Sequence, residues 1–188
     1  MDFITLENKG KHDLIKDIIM YPLRINKDAS GVLVETLRSD WKEIYGEGRG
    51  FAMQYYSVTD SGVARDEDTW HYHLMQEDRF LVAQGAIVAA VADNRKEAST
   101  NGMLNLFYME ANVDPYILLI PKKTLHGFLV VSKTPAILLN FPTKLYNPQD
   151  EKRIPYSDTG IKFSTKDLFS WSNVRTEFSN NISLISTK

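Results

Sequence analysis

The feature that most constrains the fold is a close succession of short apolar segments between residues 51 and 141. Turn-forming pairs such as Gln84-Gly85, Asn101-Gly102 and Asp114-Pro115 separate them. Many short strands with little helix between them are typical of an antiparallel sandwich or barrel. We therefore predict an all-β jelly roll with a few short helices. The predicted strands are 51–58, 69–74, 79–83, 86–92, 104–109, 116–120, 127–132 and 136–141.

Length and composition limit the number of domains, the kinds of partner and the chemistry that the chain can have. A chain of 188 residues suits one domain, with a predicted core at about 17–167 and a frayed tail at 179–188. A net charge of −2 favours neither nucleic acid nor an acidic membrane as a partner. The absence of cysteine excludes disulfides and thiolate chemistry. With no signal-peptide pattern and no membrane-length apolar run, we predict a cytoplasmic protein.

Three of the four histidines suggest a polar site. His71 and His73 are two apart, so on a strand they point to the same face. Glu77 lies just beyond them, and His126 follows about fifty residues later. If the two strands are neighbours, three imidazoles converge. The acidic stretch 66–68 predicts a solvated loop, with a lid over the site as the alternative.

The order of the motifs resembles that of the dTDP-4-dehydrorhamnose 3,5-epimerase family. The clearest segment, 120–132, reads I-P-K-K-T-L-H-G-F-L-V-V-S and is similar to the family's I-P-x-G-F-A-H-G-F-x-V-L-S. Segments 57–65, 143–148 and 164–167 resemble further family motifs in the same order. The resemblance implies a cupin-class jelly roll that forms a homodimer, needs no cofactor and binds a nucleotide-linked 4-keto-6-deoxy sugar.

The resemblance also implies roles for individual residues. His71 would be the base that removes a proton beside the keto group, Asp167 would orient it, and Arg79 would stabilise the enolate. Asn140 stands where the family has a proton-donating tyrosine, and an amide cannot act as a general acid. The substrate-binding residues implied are Glu35, Arg65, His73, His126 and Asn140.

Two other functions fit the same residues. The spacing of His71, His73 and Glu77, with His126, also matches the generic cupin metal pattern. Such a donor set suits Fe, Mn, Ni or Zn, and the protein would then be a metal-dependent isomerase or dioxygenase. The third hypothesis is a sugar-nucleotide binder without catalytic activity.

Overall fold

Two antiparallel sheets form the body of the protein in a computed structural model, which describes residues 2–185. In chain order the strands are β1 (Ile19–Pro22), β2 (Ile25–Asp28), β3 (Gly31–Val34), β4 (Tyr55–Thr59), β5 (Ala64–Arg65), β6 (Thr69–His73), β7 (Asp78–Gln84), β8 (Ala86–Ala92), β9 (Leu104–Glu110), β10 (Tyr116–Ile120), β11 (Leu125–Val130), β12 (Ala136–Asn140) and β13 (Glu151–Pro155). The first sheet has the order β1-β10-β7-β12-β4. The second has the order β13-β6-β11-β8-β9, with β5 paired to β11, while β2 and β3 form a separate hairpin.

The main hydrophobic core lies between the two sheets. Phe80 and Leu138 of the first sheet and Val91 and Phe128 of the second belong to it. The outer faces of both sheets are covered as well. All seven residues of β8 are therefore buried, because one face meets the core and the other meets the C-terminal helix. This two-sided burial explains why β7 and β8 read as continuous apolar runs rather than as alternating patterns.

Two α-helices provide the outer cover. The short helix α1 (Lys42–Tyr45) packs Ile44 and Tyr45 against the first sheet. The helix α2 (Trp171–Ile185) packs Trp171 and Phe178 against the second. Single 3₁₀ turns occupy Lys9–Lys11 and Tyr156–Asp158. Across residues 2–185, no helix combines the length and the apolar character that crossing a membrane requires.

Most predicted strands are confirmed, and two of them, 86–92 and 116–120, have the predicted bounds. β13 was not predicted, because its sequence is largely polar and it pairs only with β6. The helix α2, with 15 residues, is longer than the short helices predicted. It runs to Ile185, so residues 179–185 of the tail predicted to be frayed belong to a helix, and 186–188 lie outside the described residues.

Candidate active site

One open cavity between the two sheets is lined by three histidines, two aspartates and two arginines. Its volume is about 170 Å³, and both sheets contribute to its walls. His126 of β11 lies directly opposite His71 of β6 in the strand pairing. His73 is two residues along β6, so its side chain lies on the same face. The structure thus brings the three predicted histidines together.

His71 has one ring nitrogen turned toward a carboxylate and the other left free. Its Nδ1 lies 3.5 Å from Asp66 Oδ2, while its buried Nε2 has no hydrogen-bond partner among the described residues. Arg153 Nε donates to Asp66 Oδ1 at 2.8 Å. The contact with His71, and after it the pairing with Arg153, outweighs burial and lowers the pKa of Asp66 to about 2. This anion favours a proton on Nδ1, so Nε2 keeps its lone pair, as a general base requires.

His126 forms a buried ion pair with Asp78. Its Nε2 lies 3.2 Å from Asp78 Oδ2, and its Nδ1 lies 3.3 Å from the backbone oxygen of Thr124. Both partners are hydrogen-bond acceptors, so both ring nitrogens must carry protons for both contacts to be favourable. The geometry therefore fits an imidazolium facing a carboxylate, and only 5% of His126 and 2% of Asp78 are exposed.

Asp78 is the most heavily bonded carboxylate of the cavity. Its Oδ1 accepts hydrogen bonds from Gln76 Nε2 at 2.7 Å and Asn140 Nδ2 at 2.8 Å, and His73 Nε2 lies 3.5 Å from its Oδ2. Burial alone would raise the pKa of Asp78. The hydrogen bond from His126, the charges of the two histidines and the bond from Asn140 together lower it, so Asp78 is a fixed negative charge.

The three histidines also form a possible metal-binding group. One ring nitrogen from each of His71, His73 and His126 lies within 4.8 Å of the others. The Nδ1 of His73 is buried without a hydrogen-bond partner in the described part of the chain. Three imidazoles beside a carboxylate suit a divalent transition metal, and the residues present fit such an ion once His126 gives up the Nε2 proton that faces Asp78.

Comparison with known proteins settles the family. The model of the dTDP-4-dehydrorhamnose 3,5-epimerase family matches residues 13–181, which is most of the chain. The chain belongs to this epimerase family. Membership confirms the resemblance drawn from the sequence motifs, and with it the prediction of a sugar-nucleotide epimerase, an enzyme of the isomerase class.

Individual relatives agree with this assignment. The chain is 38% identical over 145 residues to the probable low-salt glycan biosynthesis epimerase Agl13 of Haloferax volcanii, covering 76% of this chain and 88% of that protein. It is 31% identical over 158 residues to the spore coat polysaccharide biosynthesis protein SpsL of Bacillus subtilis, covering 83% and 99%. The crystal structure of a dTDP sugar isomerase from Desulfovibrio desulfuricans, 23% identical, has a TM-score of 0.70 over 82% of this chain and 95% of the other. That likeness confirms the predicted jelly-roll fold.

Arg79 does not face the cavity of this epimerase-family protein. Successive residues of a strand point to opposite faces, and Asp78 and Phe80 line the cavity. On the other face, the Arg79 guanidinium donates to the backbone oxygens of Ile44 and Gly50, both at 3.2 Å. It also lies 4.2 Å from the centre of the Tyr45 ring. The prediction that Arg79 stabilises an enolate is therefore corrected: its charge supports the segment around α1.

Asp167 is not the carboxylate beside His71. It is exposed and accepts a hydrogen bond from Ser164 Oγ at 2.7 Å. Asp66 takes that place instead, in a left-handed backbone conformation with φ of 59°. The acidic stretch predicted to be a solvated loop or a lid therefore contributes its first residue to the cavity wall.

Two other predicted carboxylates also lie elsewhere. Glu77 is bound by Arg49 at 2.9 Å, outside the cavity. Asp78, one residue later, is the group that faces two histidines. Glu35 follows β3, is half-exposed and is paired with Arg38 at 2.9 Å. The alternative metal set therefore has the wrong acidic member. Glu35 also lies outside the cavity of this chain, and its substrate role stays a prediction.

The predicted residues Arg65 and Asn140 lie at the site. Among the described residues, two permanently positive side chains line the cavity, those of Arg65 and Arg153. Arg65 Nε donates to Thr59 Oγ1 at 3.0 Å. Asn140 lies behind the wall, where its Nδ2 donates to both Asp78 and the hydroxyl of Tyr55, each at 2.8 Å.

Four residues of the site were missed: Asp66, Asp78, Arg153 and Tyr55. Of the four, only Tyr55 could have been found from the local sequence. It lies two residues before the polar Ser57, so on a strand the two polar side chains share one face. Arg153 required recognition of β13. For Asp66 and Asp78, the neighbouring sequence does not indicate which carboxylate faces inward.

Proposed function

We propose that this protein is an epimerase that acts on a nucleotide-linked 4-keto-6-deoxy sugar, with His71 as its general base. The observation that carries the proposal is the ring of His71, whose Nε2 is buried and free while Asp66 faces its Nδ1. A base needs an unprotonated nitrogen in the site and a fixed orientation. Asp66 supplies the orientation that the resemblance assigns to Asp167.

The proposed reaction begins at a carbon next to the keto group. His71 Nε2 takes the proton, and the electron pair of the C–H bond moves onto the keto oxygen to give an enolate. The imidazole of His73, with its ring centre 4.7 Å from that of His71 and its Nδ1 without a hydrogen-bond partner among the described residues, is the nearest group with a ring nitrogen available to that oxygen. Preorganised N–H donors of this kind lower the barrier directly.

The arginines support the substrate class. Arg65 and Arg153 lie on the cavity wall, where a diphosphate linking nucleotide and sugar would meet guanidinium groups suited to paired phosphate oxygens. A homodimer, a cytoplasmic location and the lack of nucleic-acid or membrane partners stay predictions.

The first test is hydrogen exchange into the sugar. Incubated in D₂O with dTDP-4-keto-6-deoxyglucose, the wild-type protein is expected to introduce deuterium at C3 or C5, followed by NMR. The substitution His71→Ala should reduce exchange to the rate in buffer, because the base is gone. His12→Ala is the matched control, since His12 lies outside the cavity. A wild-type protein that binds the sugar nucleotide without exchange contradicts the proposal and leaves a non-catalytic binder.

A second candidate function, a metal-dependent enzyme, is favoured by the convergence of His71, His73 and His126. Asp78, at 3.2 and 3.5 Å from two of these rings, would replace Glu77 as the acidic ligand. A bound divalent metal would supply Lewis acidity toward a carbonyl. Since a nitrogen that binds a metal cannot also accept a proton, the two candidates conflict if the metal takes His71 Nε2.

Metal analysis of the untagged protein separates the two candidates. If the protein is a metal-dependent enzyme, it should contain a near-stoichiometric transition metal, and the substitutions His73→Ala and Asp78→Asn should remove it. Glu77→Gln, the neighbouring change outside the cavity, should leave it bound. If the epimerase proposal is right, deuterium exchange should continue after treatment with a chelator. Exchange that stops on chelation and returns with added metal would decide for the second candidate.

A further inference from the structure

The two walls of the cavity carry different chemistry. His71 and His73 belong to β6 of the second sheet, whereas Tyr55 and Ser57 belong to β4 of the first. A sugar ring held between the sheets would therefore present one face to the imidazoles and the other to Tyr55. This matters because inversion at a carbon requires a proton to leave from one face and another to arrive from the opposite face.

The alternation of β4 fixes the direction of Tyr55. Tyr55 and Ser57 line the cavity, while Tyr56 and Val58, on the other face, are 66% and 53% exposed. Tyr55 is 43% exposed, so its ring lies at an accessible part of the wall. Its hydroxyl reaches the buried side chain of Asn140.

The hydrogen bond with Asn140 leaves the phenol proton free. The backbone N–H of Arg79 donates to Asn140 Oδ1 at 3.0 Å, which fixes the orientation of the amide. Asn140 Nδ2 then faces Tyr55, so the phenol oxygen accepts at 2.8 Å. Within residues 2–185, Asn140 is the hydrogen-bond partner of this hydroxyl, and the O–H of Tyr55 remains available to donate to a ligand.

We propose that Tyr55 is the acid that delivers a proton to the sugar carbon from the face opposite His71, and that Asn140 positions it. The inference rests on the proposed epimerase function and completes it. Tyr55 enters from β4, the strand next to β12, which carries Asn140. A proton donor is thus present although Asn140 itself cannot act as one.

The proton balance closes without any further reactant. His71 Nε2 breaks the C–H bond, and the electron pair passes to the keto oxygen. The carbonyl re-forms as the opposite face of the carbon takes the Tyr55 proton. The protonated His71 then loses its proton to water, and the Tyr55 phenolate regains one from water. One carbon of the sugar has then been inverted, and both enzyme residues have returned to their starting protonation states.

The protonation state of Tyr55 agrees with this role. Desolvation first, and then the negative charge of Asp78, raise the pKa of Tyr55 to about 12. At neutral pH the phenol therefore holds its proton, as an acid must before the step.

The test compares Tyr55→Phe with Tyr56→Phe, the neighbouring tyrosine on the outer face. Each variant is assayed for two events in D₂O: exchange of the sugar proton and inversion of the carbon. Tyr55→Phe is expected to keep exchange that depends on His71 but to lose inversion on the order of 10²–10⁴-fold. Deuterium should then enter with retention of configuration. Tyr56→Phe should match the wild type in both.

The outcomes separate this inference from the function on which it rests. Inversion by Tyr55→Phe at close to the wild-type rate overturns the role of Tyr55 alone. Loss of exchange and inversion together, in a variant with wild-type thermal stability, overturns it too and makes Tyr55 a binding residue. Absence of exchange in the wild type defeats the epimerase proposal before any variant is compared. Loss of the hydroxyl leaves the Asn140–Asp78 bond in place, so the fold should hold.

Discussion

Asp66→Asn is expected to reduce deuterium exchange and turnover on the order of 10²–10⁴-fold, whereas Asp167→Asn should leave both at the wild-type level. Asp66 uses one oxygen for Arg153, at 2.8 Å, and turns the other to His71 Nδ1, at 3.5 Å. An asparagine has only one acceptor oxygen, and the permanently charged guanidinium will take it. The amide N–H₂ would then face Nδ1 and favour a proton on Nε2, which disables the base.

Two measurements check this account of Asp66. Steady-state kinetics should show a lower kcat with little change in KM, because the substitution alters the tautomer rather than the walls that hold substrate. The ¹⁵N chemical shifts of His71 should move toward the Nε2-protonated form. A loss of activity in Asp167→Asn, with Asp66→Asn unaffected, would restore the pairing implied by the family resemblance.

The fold was largely predictable because apolar runs and turn pairs are local signals. β8 and β10 were located from their own residues, since burial requires apolar side chains at nearly every position. β13 gave no such signal. Its residues Glu151 and Arg153 are polar, and it is a strand because the backbone of β6 pairs with it. Pairing imposed by a neighbour cannot be deduced from the residues of the segment alone.

The same difference between local and non-local signals applies to the candidate site. The three histidines were predictable as a group, because two share a strand face and His126 lies in a distinctive motif. Their carboxylate partners were not. Because β7 is apolar on both faces, alternation does not show whether Asp78 or Arg79 points inward. The carboxylate beside His71 depends on a loop conformation, with Asp66 at a positive φ, and no periodic pattern predicts it.

Asp78→Ala is expected to lower the free energy of unfolding by about 3–5 kcal/mol, the usual cost of removing one member of a buried ion pair. The carboxylate is 2% exposed and is the common partner of His126, His73 and Asn140. Its loss leaves those groups buried without their acceptor. Glu77→Ala is the matched control. Its pair with Arg49 is partly exposed, so about 0–1 kcal/mol should be lost.

The pH dependence of the lost unfolding free energy distinguishes the contribution of the Asp78 charge from that of side-chain packing. Because the pKa of Asp78 is lowered in the folded protein, its contribution is complete above the unfolded value of about 3.9 and declines as pH falls through the folded value. Denaturant unfolding of wild type and Asp78→Ala should therefore differ most near neutral pH and converge in acid, below about pH 4. A difference that stays constant to acid pH would mean that the side chain stabilises the fold by filling space. The charge of Asp78 would then not be what holds His73 and His126 in place beside the base.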